Sequence, residues 1–402
     1  MDALANPYSP GAGNQPPELA GRSDLLRHVE ILLARVKAGR SEQSVFMVGL
    51  RGVGKTVLLN KVREMAQAQG YQTLLIEAHE NKPLPQLLVP GLRKTLFALD
   101  RMENVSHKVK RSLRVLRSFI GTLKLTVGGT EFGLEIDPET GAADSGDLEA
   151  DLAELFVAVG EAAVDRKTSV AIIVDELQYL NELEMSALIM AVHRVSQRGL
   201  PMVLLGAGLP QLVGLAGRSK SYAERLFTYP EIGALSMQDA ALALEGPARS
   251  QGVSFTPQAL AEVYRVTQGY PYFLQQWGYV SWNLATTSPI DVALIEQATR
   301  ESIDRLDKSF FGVRFDRLTP REKDYLSALA EMGTGNQRSG GIAERLGVKV
   351  QTIAPLRSSL IKKGMIYSPA HGDTAFTVPL FDQFMLRTMP DGPRRATAYL
   401  LA

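Results

Sequence analysis

The sequence predicts an α/β protein with a parallel sheet, followed by an all-helical region and a small C-terminal unit of helices and strands. From about residue 20 to 235, short apolar runs rich in β-branched residues alternate with helical patterns, as in a parallel sheet buried on both faces. From about 236 to 310 the pattern is helical throughout. From about 316 to 385, helix-start and helix-stop residues precede two strand-like runs.

Composition limits the possible classes of function. The chain has 402 residues, enough for two or three domains. Its formal net charge of +1 gives no general attraction to nucleic acid or membranes, so such a role would need a local basic patch. The absence of cysteine excludes disulfides, thiol nucleophiles and cysteine-bound zinc, and the five histidines lack metal-ligand spacing. The longest apolar runs are too short to span a bilayer, so we expect a soluble cytoplasmic protein without a membrane partner.

The N-terminal residues 1–17 predict a flexible arm, because they are rich in Pro, Gly and Ala and lack the apolar segment of a signal peptide. After the arm, four apolar runs predict the strands of the sheet. They are SVFMV (44–48), TLLIEA (73–78), VAIIVD (170–175) and MVLLG (202–206).

One segment breaks the alternation of strands and helices. Residues 105–118 predict a basic amphipathic helix, and a hairpin around Gly128 and Gly129 follows it. We interpret 105–148 as an insertion. Its basic face is either solvated or a contact for nucleic acid or a partner protein.

A glycine-rich loop, GLRGVGKT, follows the first predicted strand. It matches the pattern G-x-x-x-x-G-K-[ST], in which glycines turn backbone amides toward a phosphate and the next helix adds its positive N-terminal end. The lysine supplies a point charge for the β- and γ-phosphates, and the threonine hydroxyl joins the shell of a Mg²⁺ ion. An ordinary turn between a strand and a helix is the alternative. The predicted binding residues are Gly49, Gly52, Val53, Gly54, Lys55, Thr56 and Val57.

A pair of acidic residues ends the third predicted strand, in AIIVDELQYL. A carboxylate at the carboxyl end of such a strand can hold Mg²⁺ through water, and the next one can polarise an attacking water. We therefore predict Asp175 as a metal ligand and Glu176 as the general base. The same residues would also serve as the cap and first turn of a following helix.

The C-terminal unit has the layout of a winged helix-turn-helix. Thr319-Pro320 starts one helix, GGIAERLG (340–347) is a second, and VQTIAPLRSSLIKKG (350–364) is a third that Pro355 should kink or delay. Two strands around a turn, MIYSPAHGDTAFTV, would form the wing. Such a unit either grips double-stranded DNA or packs within its own chain. The candidate contacts for DNA phosphates are Arg357, Lys362 and Lys363.

These motifs resemble AAA+ ATPases, specifically the replication-initiator-like and archaeal-type group that borders the STAND switch ATPases. The resemblance rests on ELAGRSDLLRHVEIL, GLRGVGKT, IIVDELQYL and TQGYPYFLQ, and it extends from about residue 18 to 385. It implies ATP and Mg²⁺ as cofactors. The implied divisions are the arm (1–17), a nucleotide-binding domain (18–235), a helical lid (236–312), a winged-helix domain (313–388) and a tail (389–402).

The resemblance also implies two further nucleotide contacts. Gly21 and Arg22 would lie near the adenine, the alternative being a capped helix start. Gly269 and Pro271 would form the Gly-x-Pro element by which the lid senses the nucleotide. A helix C-cap glycine followed by a helix-starting proline is the alternative interpretation.

Two features depart from the family pattern and argue against fast hydrolysis. The fourth strand ends in Gly206, Ala207 and Gly208, where relatives place a polar side chain that orients water; Gln178 is the candidate substitute. The lid lacks a clear sensor arginine, and Arg265 is the nearest one.

A neighbouring subunit in a homo-oligomer could supply the missing positive charge. In GRSKSYAERLF, Arg225 is the first candidate for such an arginine finger and Arg218 the second, the alternative being a structural arginine on a helix.

The sequence thus predicts an ATP-dependent switch with slow hydrolysis, which couples its nucleotide state to DNA binding or assembly. The alternative is a STAND-like regulatory ATPase whose winged helix contacts protein rather than DNA.

Overall fold

A computed structural model of the chain describes residues 1–11, 13–17, 19–100, 106–123, 126–127, 130–131, 136–370 and 372–393. The chain forms two compact units. The sheet unit comprises Arg22–Gly49 and Lys55–Ile232. The helical unit comprises Met1–Gly21, Leu50–Gly54 and Gly233–Ala402, so most of the glycine-rich loop groups with it.

The sheet unit contains a five-stranded sheet of order β2-β5-β6-β1-β7, in which every neighbouring pair is parallel. Every residue of β1, β5 and β6 is buried. The predicted parallel α/β sheet is therefore confirmed, and all four predicted strands belong to it. The strands of this unit are β1 (Ser44–Val48), β2 (Tyr71–Glu77), β3 (Thr126–Val127), β4 (Thr130–Glu131), β5 (Ser169–Asp175), β6 (Met202–Gly208) and β7 (Phe227–Thr228).

Eight helices flank or extend this sheet among the described residues. They are α1 (Ser23–Lys37), α2 (Lys55–Ala68), α3 (Leu84–Asp100), α4 (His107–Thr122), α5 (Leu148–Asp165), α6 (Glu182–Gln197), α7 (Gln211–Ser219) and α8 (Ala223–Leu226). No helix among the described residues is both long and apolar enough to cross a membrane.

Helix α4 is the basic amphipathic helix of the predicted insertion. Its apolar face is buried, as Val109 and Leu116 illustrate. Its basic residues are partly neutralised within the unit, because Arg111 and Arg114 both pair with Glu139. Strands β3 and β4 pair antiparallel, as a hairpin would. The predicted turn glycines, 128 and 129, lie outside the described residues.

The helical unit contains nine α-helices and a sheet of its own among the described residues. This sheet is three-stranded and antiparallel, with order β8-β10-β9. Pro355 lies inside α16 without delaying it, since the helix begins at Val350. The third strand, β8, has no counterpart in the sequence prediction. The elements are α9 (Met237–Ser250), α10 (Pro257–Thr267), α11 (Pro271–Leu284), α12 (Val292–Leu306), α13 (Gly312–Asp316), α14 (Pro320–Glu331), β8 (Gln337–Arg338), α15 (Ser339–Leu346), α16 (Val350–Lys362), β9 (Ile366–Tyr367), β10 (Asp373–Phe376) and α17 (Phe381–Thr388).

The first residues of the chain pack against the helical unit, where the sequence predicts a flexible arm. Tyr8 is buried, and its hydroxyl donates to Leu244 O at 2.5 Å. The Asn6 amide donates to Tyr279 O at 3.0 Å. Gly278 makes room for the tyrosine ring, since a Cβ at this glycine would lie 2.6 Å from Tyr8 Cδ1. A segment rich in Pro, Gly and Ala can therefore also dock against a folded unit, as these first residues do.

Candidate nucleotide site

The phosphate loop requires glycine at two positions. Gly52 and Gly54 have φ of +81° and +90°, in the left-handed region that side chains disfavour. No heavy atom lies within 4 Å of a Cβ built on Gly54, so the requirement there is one of backbone conformation alone. Helix α2 begins immediately afterwards at Lys55. The amides of its first turn have no acceptor within the helix, which makes this helix start a natural anion site.

The Lys55 side chain is directed to the first residue of the glycine-rich motif rather than to solvent. It is buried, and its Nζ donates to Gly49 O at 2.9 Å. The amide of Gly49 in turn donates to Gly208 O at 3.1 Å, which fixes the start of the loop to the end of β6. Of the two predicted valines, Val53 is buried in the loop and Val57 is half-buried in the first turn of α2.

Thr56 and Asp175 bring two oxygen ligands together. Thr56 Oγ1 donates to Asp175 Oδ2 at 2.6 Å, and Asp175 Oδ1 accepts from the amide of Glu176 at 2.8 Å. Burial, and then the charge of Glu176, raises the pKa of Asp175, although the hydrogen bond from Thr56 opposes this shift. A bound cation would reverse the shift, because it favours the ionised carboxylate.

These oxygens fit Mg²⁺, which usually takes one or two protein ligands and completes its shell with phosphate and water oxygens. Within the described part of the chain, no group of three or more His, Cys, Asp or Glu residues is placed to hold a metal. A metal held by Thr56 and Asp175 would therefore depend on a bound nucleotide for its other ligands.

Glu176 has a strained backbone and a fixed side chain. It adopts the left-handed conformation, with φ 54° and ψ 37°, which is uncommon for a residue other than glycine. A short 3₁₀ helix, Leu177–Tyr179, follows and turns Gln178 back toward it. The Gln178 side-chain amide donates to Glu176 Oε2, and its Oε1 accepts from the amide of Leu209 at 2.9 Å.

The glycines at the end of β6 have a steric explanation. A Cβ on Gly206 would lie 2.3 Å from Leu177 Cδ1, and one on Gly208 would lie 2.8 Å from Gln178 Oε1. The strand therefore has no polar side chain at this place because the segment after β5 already occupies the space.

The two Gly-containing elements predicted near the base lie at helix starts. Gly21 has φ of +68° and Arg22 is the N-cap of α1. Gly269, with φ of +72°, accepts from the amide of Leu235 at 2.8 Å, and Pro271 is the first residue of α11. These positions agree with the local, helix-capping interpretation and are compatible with the nucleotide roles.

The loop also makes two contacts that sequence reasoning did not identify. Within the helical unit, the amide of Tyr272 donates to Gly52 O at 3.2 Å, and the amide of Arg51 donates to Thr377 O at 3.0 Å. The Arg51 guanidinium lies against Gly364, where a Cβ would be 2.6 Å from Nη2. Backbone hydrogen bonds leave no side-chain signature, so no motif could have indicated them.

The three candidate arginines differ in their partners. Arg218 pairs with Glu182 at 2.9 Å, and Arg265 pairs with Glu262 at 2.6 Å. The guanidinium of Arg225 is exposed and has no hydrogen bond or ion pair with another described residue. Of the three, Arg225 is thus the one available to a second molecule.

Two of the three predicted DNA contacts are held inside the helical unit. The Arg357 guanidinium donates to a threonine hydroxyl and a backbone carbonyl of β10, at 3.0 and 2.7 Å. Lys363 Nζ donates to the buried Glu322 carboxylate at 2.7 Å. Lys362 is exposed and, within the part of the chain that the structure describes, forms no ion pair. Of the three predicted DNA contacts, only Lys362 therefore has a side chain without a partner among the described residues.

Comparisons with known proteins agree with this architecture. Residues 18–205 match the AAA ATPase domain family, and residues 308–385 match a domain of unknown function (DUF8462). No curated protein matches the chain.

Solved structures give a similar result for the fold. A Walker-type ATPase of Pyrococcus abyssi aligns over 92% of this chain and 97% of its own, with 16% identity and a TM-score of 0.54. The Aeropyrum pernix Orc1 protein in complex with DNA aligns over 96% and 95%, with 16% identity and a TM-score of 0.48. The Thermotoga maritima RuvB branch migration motor aligns over 90% and 95%, with 14% identity and a TM-score of 0.45. The family match thus covers the part of the chain that contains the phosphate loop and the acidic pair, and the Pyrococcus structure has a similar overall fold.

Proposed function

We propose that the protein is a nucleotide-dependent switch that binds Mg²⁺-ATP, hydrolyses it slowly and transmits the nucleotide state to its C-terminal helices and strands. The observation that carries the proposal is the cluster of one ammonium, one hydroxyl and two carboxylates at the carboxyl ends of the central strands. These groups are Lys55, Thr56, Asp175 and Glu176. They are the groups needed to hold the phosphates and a metal and to activate water.

Each group has a definite task in this proposal. Lys55 exchanges its bond with Gly49 O for the phosphate oxygens. Thr56 and Asp175 hold Mg²⁺, which neutralises phosphate charge when bound. Glu176 accepts the proton of the attacking water.

The base and lid contacts complete the proposed nucleotide site. Gly21 and Arg22 contact the base, and Gly269 and Pro271 report the nucleotide through the lid.

Slow turnover follows from what surrounds these groups. The end of β6 offers no polar side chain for water, and Arg265 is committed to Glu262. Arg225 is free among the described residues, so it is our candidate finger toward a second copy of the chain. In such a homo-oligomer, one protomer would raise the turnover of the next.

The two backbone bonds of the loop support the switch. Phosphates that reorganise the loop act on Gly52 O, which is bonded to α11 of the lid, and on the Arg51 amide, which is bonded to Thr377. Coupling free energies are reciprocal, so a change in these contacts must also change nucleotide affinity.

We interpret α14, α15, α16 and the β8-β10-β9 sheet as a winged helix-turn-helix that acts within the protein. Its order of elements, three helices with a small antiparallel sheet, supports this interpretation. DNA binding is the alternative role. The internal partners of Arg357 and Lys363 make it the weaker one.

Two variants with matched controls test the nucleotide site. Lys55→Ala should lose most of its affinity for a fluorescent ATP analogue, whereas Lys61→Ala, on the exposed side of the same helix, should not. Glu176→Gln should bind ATP with unchanged affinity but release phosphate at least about a hundredfold more slowly, and the exposed Glu182→Gln should behave as wild type. Tight ATP binding by Lys55→Ala, or normal turnover by Glu176→Gln, would refute these roles.

A salt titration tests the alternative. DNA binding predicts a gel shift that weakens steeply as salt rises, because phosphate contacts release counterions. We expect no shift at low salt, with or without ATP. A salt-sensitive shift that Lys362→Ala weakens would restore the DNA-binding interpretation.

A further inference from the structure

Gln178 is held at both ends of its side-chain amide. Its Oε1 accepts from the backbone amide of Leu209 at 2.9 Å, and its Nε2 donates to Glu176 Oε2. A backbone amide can only donate, so the carbonyl of Gln178 must face Leu209 and the NH₂ group must face Glu176. The hydrogen-bond partners thus fix which way the amide points.

We propose that Gln178 is a positioning residue, which ties the Glu176 carboxylate to the end of β6 and so holds the general base in place for hydrolysis. The inference rests on the proposed function, because it requires Glu176 to be the base. It differs from the sequence expectation that Gln178 itself orients the attacking water. Both ends of its side-chain amide are instead engaged by the protein, the oxygen by the Leu209 amide and the nitrogen by Glu176.

Gly208 is the second part of this arrangement. A Cβ at this position would lie 2.8 Å from Gln178 Oε1 and 3.0 Å from Leu212 Cδ2. The glycine is not among the residues with positive φ, so its backbone would accept an alanine. The requirement for glycine at this strand end is therefore steric, and it serves the Gln178 side chain.

The backbone of Glu176 explains why a second anchor is needed. Its left-handed conformation directs the chain into the 3₁₀ helix and brings Gln178 within reach. A carboxylate on a strained turn with a flexible side chain has several rotamers available, and a displacement of about 1 Å can cost roughly a hundredfold in rate. Gln178 bonds the Glu176 carboxylate at one end and the Leu209 amide, next to β6, at the other, and these two bonds restrict the rotamers of Glu176.

The test uses two variants that release Glu176 by different means. Gln178→Met keeps the volume of the side chain but removes both hydrogen bonds. Gly208→Ala leaves Gln178 and Glu176 intact but displaces the amide. We expect each to lower kcat for ATP by about tenfold or more while KM changes by less than about twofold.

Two matched substitutions serve as controls. Gln197→Met changes an exposed glutamine at the end of α6, and Gly217→Ala adds a methyl group to α7 where no atom lies within 4 Å. Both should retain wild-type kcat. Thermal unfolding of all four proteins identifies any loss of folding, and Gly208→Ala keeps the proposal testable if Gln178→Met is unstable.

A double-mutant cycle separates positioning from a purely structural effect. In a Glu176→Gln background, single-turnover phosphate release should be no slower after Gln178→Met is added, since the base it positions is already gone. An equal further loss in that background, or wild-type kcat in both Gln178→Met and Gly208→Ala, would overturn the proposal. If Glu176→Gln itself turned over like wild type, the proposed function would fail instead.

Discussion

Lys363 and Lys362 are adjacent lysines for which the structure predicts opposite behaviour. Lys363 Nζ lies 2.7 Å from the Glu322 carboxylate, whose side chain is 3% exposed. The same carboxylate caps α14 by accepting from the Thr319 amide at 2.7 Å, and it accepts from the Ser359 hydroxyl at 2.7 Å. Lys363 thus stabilises a buried charge that joins the start of α14 to the end of α16. Lys362 has no such partner among the described residues.

The expected loss in Lys363→Met follows from that hydrogen bond. A hydrogen bond to a charged group contributes about 1.5–3 kcal/mol. The Lys363 side chain is 35% exposed, so solvent screening reduces this contribution. We expect the free energy of unfolding to fall by about 1–2 kcal/mol. Methionine keeps the aliphatic stem, so the loss isolates the charge.

The loss of stability in Lys363→Met should also depend on pH. Burial by itself would raise the pKa of Glu322, but the hydrogen bonds from Lys363, Thr319 and Ser359 outweigh it and hold the pKa below its usual value. A carboxyl group with a lowered folded-state pKa stabilises the fold above its unfolded-state pKa, and this contribution is lost as pH falls through the folded-state pKa. The difference between wild type and Lys363→Met should therefore shrink in acid.

Urea unfolding, followed by circular dichroism at neutral pH and in acid, measures both effects. Lys362→Met is the control and should unfold like wild type. Equal stability of Lys363→Met and Lys362→Met at neutral pH would refute the assignment. A loss of DNA affinity in Lys363→Met without a loss of stability would show that this lysine faces a ligand.

Two further predictions concern Asp175 and Tyr8. Burial and the charge of Glu176 raise the pKa of Asp175, so the ionised carboxylate weakens the metal-free fold above that pKa. Urea unfolding should therefore show Asp175→Asn to be at least as stable as wild type at neutral pH, and this difference in stability should disappear in acid. Titration with a fluorescent ATP analogue should show that Mg²⁺ no longer strengthens ATP binding by this variant. Tyr8→Ala should destabilise the helical unit by roughly 3–5 kcal/mol, because the ring is buried. Tyr8→Phe should cost only about 0.5–1.5 kcal/mol, the contribution of one hydrogen bond. If wild type and Tyr8→Ala unfolded at the same temperature, the docked position of Tyr8 would be contradicted.

The sheet could be predicted from the sequence because its signals are local. Continuous apolar runs specify strands buried on both faces, and each predicted run lies within two residues of an observed strand. The same holds for the phosphate loop, whose glycine spacing reports a backbone conformation that only glycine adopts readily. Thr319 caps its helix as predicted, through a hydroxyl that accepts from the Glu322 amide.

Other features depend on partners that are distant in the sequence. Lys363 looks like a surface charge until it is paired with Glu322, 41 positions earlier. Tyr8 lies in a segment whose composition predicts flexibility, yet its hydroxyl bonds Leu244, 236 positions later. Neither pairing has a local signature, so counting charges or prolines cannot distinguish a free residue from an engaged one.

The absence of a polar side chain at the end of β6 has a steric cause that the sequence does not show. From the sequence, Gly206, Ala207 and Gly208 suggest that a water-orienting group has been lost. In the structure, a side chain at Gly208 would collide with Gln178, so the two positions cannot both carry a polar group. Gln178 contacts Glu176 from the segment after β5, and we propose that it positions this carboxylate rather than a water. A catalytic group can therefore be judged absent only after its neighbours in space, and not only its position in the family pattern, have been considered.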